Sequence, residues 1–151
     1  MNTITLEQAQ TIVRVTLAYA REHDFEPTGV AVLDVRGALT AFATEDGSTL
    51  GRAQVVMGKA GGCIAMGVGG RSLARRGAEA PQWTLAVGNV LPLGLLPGIG
   101  GVLVRDASGR PVGAVGVAGA APENDEAAAV AGIEAAGLVA DPGSSEPRRP
   151  R

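Results

Sequence analysis

The sequence is short of the side chains on which most enzyme chemistry rests. Its 151 residues hold one cysteine, Cys63, one histidine, His23, and one lysine, Lys59. A single cysteine closes no intrachain disulfide, which excludes a disulfide-stapled secreted scaffold. One histidine and one cysteine, 40 residues apart, fall short of the roughly four ligands of a structural zinc site, so no metal site is expected. No GxSxG elbow is present, and any Ser-His-Asp or Cys-His arrangement would have to use His23. Aromatic residues make up only 3%, so the core must be packed by Val, Leu, Ile and Ala. An excess of positive charge is also missing: 13 basic against 15 acidic residues give a net charge of -2. Nucleic acid is therefore not an expected partner, because phosphate binding needs a basic footprint. With a single lysine there is no polybasic membrane anchor. The apolar stretches are cut by Gly and Pro before reaching the roughly 18–20 residues of a membrane span, and none is expected. Residues 1–7 show no basic region followed by an apolar run and do not read as a signal peptide, so the expected location is the cytoplasm.

What is present is a large apolar fraction, 46%, with 23 glycines and 9 prolines. The length suits one domain, taken here as residues 1–140, followed by a Pro-, Ser- and Arg-rich tail over 141–151 expected to be disordered. Residues 5–22 read as a helix. Thr5 and Gln8 form a capping-box pair, and Leu6, Ala9, Ile12, Val13, Leu17 and Ala20 fall on one stripe. Residues 29–35 and 38–43 read as two strands joined at Arg36-Gly37, a β-hairpin. Residues 51–66 read as a helix despite Gly58, Gly61 and Gly62, each of which costs about 1 kcal/mol against Ala. Their reward is close backbone packing. Residues 71–77 form a short basic segment with at most a helical turn, and 83–101 a partly helical apolar connection ending in a loop. A second hairpin follows, with strands 101–105 and 111–119, and a last helix runs from Pro122 to about Leu138. The order α, ββ, α, irregular, ββ, α points to an α+β domain of layered α/β/α type, its antiparallel sheet built from two hairpins.

Two stretches resemble the GlcG/HbpS-like family. The first is Ala41-Phe-Ala-Thr-Glu-Asp-Gly47 with Leu50-Gly51 and Lys59-Ala60. The second is Pro97-Gly-Ile-Gly-Gly101, then Gly113-Ala-Val-Gly-Val-Ala-Gly119 and Pro122-Glu-Asn-Asp125. Together they extend the resemblance over about residues 4–139. It implies a profilin-like three-layer fold, a homo-oligomer, and functions that include haem binding and haem degradation. The chain departs from the family pattern at Glu45, where a Met is usual, at Gly61-Gly62-Cys63, and in its few aromatic residues. Fold alone does not fix function.

The candidate residues support more than one chemistry. Glu45 and Asp46 are adjacent carboxylates, an arrangement that can lift one pKa and supply a general acid or base. Lys59 sits in an apolar, glycine-lined helix where desolvation lowers an amine pKa. As an alternative it forms an ion pair with Glu45, Asp46 or Asp125. Asp125 opens the last helix. Gly100, Gly101, Trp83 and Arg71 are expected to line a substrate pocket. The main expectation is thus a cofactor-free enzyme of isomerase, dehydratase (lyase) or cyclase type acting on a small organic acid or carbonyl metabolite. Glu45 or Asp46 would move the proton, Lys59 would polarise an oxygen, and Asp125 would orient a partner. The alternative is a haem-binding or haem-degrading protein, with haem as cofactor and His23 as its ligand. A third reading is a non-catalytic, oligomeric small-molecule-binding module.

Overall fold

Both hairpins are held by the same local device, an aspartate at the end of the first strand. Gly29–Asp34 forms β1 and Leu39–Thr44 forms β2. Asp34 Oδ1 accepts hydrogen bonds from the N–H groups of Arg36 (2.8 Å) and Ala38 (3.0 Å), closing the turn between them. Gly101–Arg105 forms β3 and Pro111–Ala118 forms β4. There Asp106 Oδ1 accepts from Ser108 N–H (2.9 Å) and Arg110 N–H (3.1 Å). The computed structural model describes residues 2–147.

The hairpins join edge to edge through antiparallel pairing of β1 with β4, and a short fifth strand, β5 (Val139–Asp141), pairs with β3. The sheet order is β2-β1-β4-β3-β5, antiparallel throughout. Helices α1 (Leu6–Glu22) and α5 (Pro122–Ala135) cover one face, and α2 (Arg52–Met66) and α3 (Gly70–Glu79) the other. Helix α4 (Pro81–Val90) packs on α3. The expected α+β, three-layer architecture is thus the one observed, with five helices and a five-stranded sheet among the described residues.

The main core lies between the α1/α5 layer and the sheet, built from Ile12, Val30, Val32, Val102, Val104, Val115, Val117 and Ile133. It is almost purely aliphatic, as the scarcity of aromatic residues requires. Burying each such side chain contributes about 1.5–3 kcal/mol. The capping box is present in full. Thr5 Oγ1 accepts from Gln8 N–H (3.1 Å), and Thr5 N–H donates to Gln8 Oε1 (3.0 Å). On the opposite face the glycines bring backbones together. A Cβ at Gly116 of β4 would collide with the Val56 carbonyl of α2, so the helix rests directly on the strand.

Three boundaries differ from expectation. The basic segment 71–77 is part of a ten-residue helix, α3, fixed by burial of Ser72 and Leu73. Helix α5 ends at Ala135, and Val139–Asp141 is strand rather than the end of a helix and the start of a tail. Beyond it, Gly143 N–H donates to Asp141 Oδ1 (3.0 Å), and Ser144 N–H to Ser72 Oγ (3.1 Å). Arg75 holds the carbonyls of Ser144 and Glu146. The fold therefore extends past the boundary placed at residue 140. Residues 148–151 of the expected tail lie outside the described residues.

Candidate functional site

Lys59 is carried by the glycine-rich half of α2 to the end of the sheet where β3 begins and β4 ends. It is 9% exposed. Its Nζ donates to the Val117 carbonyl (2.8 Å) and lies 3.6 Å from Asp125 Oδ2. Asp125, 2% exposed, also accepts from Ala120 N–H at Oδ1 (2.9 Å). The pair therefore bridges the α2 layer to the α5 layer around the end of the sheet. Desolvation lowers the Lys59 pKa against the opposing pull of Asp125, and desolvation raises that of Asp125. For each group burial outweighs the attraction of its partner.

Gly100 and Gly101 complete this junction. Gly100 has φ +110°, open to glycine, and a Cβ there would sit 2.8 Å from Lys59 Nζ and 2.7 Å from the Val117 carbonyl oxygen. At Gly101 a Cβ would sit 2.9 Å from both Cys63 Sγ and the Lys59 carbonyl oxygen. These two glycines seat the ion pair, and the space beside them is filled by protein. Cys63 is fully buried, and burial pushes its thiol up to about 12.

Glu45 and Asp46 are placed elsewhere. Glu45 Oε1 accepts from Thr28 N–H (2.9 Å), and Oε2 pairs with Arg21 Nε (2.8 Å). Asp46 is exposed. With Arg21, Pro27 and Thr44 they border an open cleft of about 440 Å³. Among the described residues no hydrogen bond or ion pair joins Glu45 or Asp46 to Lys59 or Asp125. The four residues expected to act as one catalytic set thus form two separate sets. Arg71 grips Glu126 with both arms, Nε to Oε2 at 2.8 Å and a terminal nitrogen to Oε1 at 3.0 Å, and ties α3 to α5. Trp83 is half-exposed on α4, a helix that also exposes Leu85 and Val90.

His23 caps the C-terminus of α1. Its ring stacks on Tyr19, with centroids 3.9 Å apart and planes at 19°, and Phe25 closes the cluster at 5.7 Å. His23 Nδ1 lies 2.8 Å from the Tyr19 carbonyl oxygen. A carbonyl only accepts, so Nδ1 carries the proton and, in the neutral ring, Nε2 keeps its lone pair. The side chain is exposed. The sequence reading missed Tyr19, although its i, i+4 spacing to His23 was the available signal. It also missed Arg21, whose pairing with Glu45 has no local signature.

Comparison with known proteins places this architecture. A family model described as haem degrading protein HbpS-like matches residues 4–134. The chain belongs to the HbpS-like family. Among solved structures, HbpS is 29% identical with a TM-score of 0.77, over 89% of this chain and 90% of that one. A double mutant of HbpS from Streptomyces reticuli is 29% identical, with a TM-score of 0.76 over 89% of this chain and 87% of that one. A complex of PduOC with haem shares the fold, at 19% identity and a TM-score of 0.76, over 90% of this chain and 96% of that one. No curated protein matches the chain.

These findings correct the main expectation. The family description names haem, and an organic-acid isomerase, dehydratase or cyclase has no counterpart in it. The expectation of no cofactor falls with that reading. The geometry gives the physical reason: Glu45 and Lys59 are each committed to other partners, and Asp46, though exposed, forms no hydrogen bond or ion pair with Lys59 or Asp125 among the described residues. Of the two side chains that could meet a haem iron, one is enclosed and one is open. Cys63 is a buried thiol held protonated. His23 is an exposed imidazole with one nitrogen already fixed by a carbonyl, which is the arrangement that orients a metal-binding histidine.

Proposed function

We propose that this protein binds haem, with His23 Nε2 as the axial ligand to the iron. The observation that carries the reading is the hydrogen bond from His23 Nδ1 to the Tyr19 carbonyl, which leaves the outer nitrogen free on an exposed ring. Membership of the HbpS-like family supplies the ligand class. Haem, when bound, supplies a redox-active iron. The chain's own part is to orient the imidazole, through the carbonyl and the stacked Tyr19 ring, and to offer apolar surface at Phe25.

The same reading includes self-association. Trp83, Leu85, Val90, Leu93 and Leu96 are all exposed on α4 and the loop that follows, and residues 80–104 contain no charged side chain. An uncharged apolar face of this kind is suited to burial against a second subunit. Light scattering of the purified protein should give a mass of at least two chains of 15.1 kDa, and the mass of a single chain would remove self-association.

A haem titration followed by visible absorbance tests the ligand. The expected result is a saturable, sharpened Soret band in the wild type, and a shifted band with at least about tenfold weaker binding in His23→Ala, which should stay folded with a thermal midpoint lowered only by the loss of the Tyr19 stack. A saturable band identical in wild type and His23→Ala would remove His23 from the site. The absence of any saturable band would remove the haem reading itself.

A further inference from the structure

Arg52 opens α2 and is partly buried. Its stem crosses the start of β1: a Cβ at Gly29 would lie 2.5 Å from Arg52 Cγ and 3.2 Å from Thr44 Cγ2. Among the described residues it joins no ion pair, and its Nε is shut off from solvent with no acceptor. A second orphan, Ser48 Oγ, is buried without a partner in the same connection between β2 and α2. Buried polar atoms in folded proteins are nearly always satisfied, and each exception calls for an explanation.

The charges around Arg52 define what is missing. The first turn of α2 contains no acidic residue, and its cap, Gly51, has no side chain to accept. The positive field of Arg52 reaches the buried Lys59–Asp125 pair seven residues further along the helix. Two cations thus face one carboxylate, leaving a single positive charge unmatched. Thr44, which shares the space over Gly29 with the Arg52 stem, is also a wall of the cleft bordered by Glu45 and Asp46. Arg21, on the same wall, neutralises Glu45, and the remaining acid, Asp46, opposes a multiply charged anion such as phosphate. A guanidinium fork with one surplus charge matches a carboxylate, which accepts two parallel hydrogen bonds.

We infer that Arg52 anchors a ligand carboxylate beside the Thr44 edge of that cleft. Two sources share this chemistry. One is a haem propionate, and this source rests on the haem reading above. The other is a free monocarboxylate, which does not depend on it.

The test compares wild type with Arg52→Gln and Arg52→Lys, using hemin, the dimethyl ester of the same iron porphyrin, and sodium acetate against matched sodium chloride. If a propionate is the ligand, hemin binds wild type at least about tenfold more tightly than Arg52→Gln, while the ester binds both alike. Arg52→Lys, which keeps the charge without the fork, falls between them. If a free carboxylate is the ligand, acetate raises the thermal midpoint of wild type and not that of Arg52→Gln, whatever hemin does. The inference is overturned if hemin and its ester each bind wild type and Arg52→Gln equally and acetate shifts neither midpoint. A failure of the haem reading shows separately, as no saturable Soret band in any of the three proteins, and the acetate arm then decides alone. Should Arg52→Gln fail to fold, Arg52→Lys carries both comparisons, with a hemin affinity and an acetate shift equal to wild type overturning the inference.

Discussion

Lys59 and His23 are each the only residue of their kind, and the fold treats them in opposite ways. Lys59 is enclosed where α2 meets α5, its ammonium divided between a carbonyl and a buried carboxylate. His23 stands exposed at the end of α1, with one nitrogen fixed and the other free. Lys59, whose pKa burial lowers, is thus the one enclosed by the fold. A pKa displaced by burial is a common mark of a functional site, but ion pairs that join layers produce the same displacement. Exposure separates the two cases: His23 is open to solvent and Lys59 is buried.

The largest effect is expected at the enclosed site. Lys59→Met leaves Asp125 buried without a counter-charge, and this should cost about 3–5 kcal/mol in urea denaturation. The double variant Lys59→Met/Asp125→Leu, with no charge left to bury, should recover most of that loss. A loss from Lys59→Met below 1 kcal/mol would show the junction to be more open to water than the structure has it.

Cys63, packed against Gly101 beside the same junction, gives the next effect, and its sign follows from linkage. Its folded pKa of about 12 stands above the model-peptide value of 9.0. The native state therefore keeps a proton that the unfolded chain gives up. The stability that this provides is complete below pH 9 and is lost as the pH rises towards 12. Relative to Cys63→Ala, the wild type should lose about 1.4 kcal/mol per pH unit in that window. Lys59, whose pKa is lowered, acts in the opposite direction below 10.5, and is common to both proteins. Equal pH profiles for wild type and Cys63→Ala would place the thiol in contact with solvent.

What could be read from the sequence follows the range of the interactions involved. The capping box at Thr5 and Gln8 spans three residues, and each hairpin turn is closed within five, so both were legible. Helix α3 was not, because Arg71 to Gly77 has little apolar surface of its own. It is held by Arg71 to Glu126, 55 residues away, and by Ser72 to Ser144, 72 residues away. Strand β5 is three residues long and exists through pairing with β3 and the Arg105–Asp141 ion pair. The site divides in the same manner. Lys59 had three candidate partners in sequence, and only the passage of α5 around the end of the sheet selects Asp125. Adjacent Glu45 and Asp46 looked like one functional unit, since nothing local shows that Arg21 claims the first and not the second.

That last distinction gives the smallest effect and a direct check on the first hairpin. Glu45 is bonded to a backbone N–H and to Arg21, but Arg21 is 49% exposed, so solvent screens the pair. Glu45→Gln keeps the acceptor for Thr28 and loses only the screened charge, a cost of about 0.5–1 kcal/mol. Asp46 is exposed and has no recorded side-chain partner among the described residues, so Asp46→Asn should stay within about 0.5 kcal/mol of wild type. If the two carboxylates acted as a coupled pair, neutralising either would relieve the other, and both substitutions would stabilise the protein at neutral pH. A small loss at 45 with no change at 46 is the pattern of an ion-paired residue beside a solvated one.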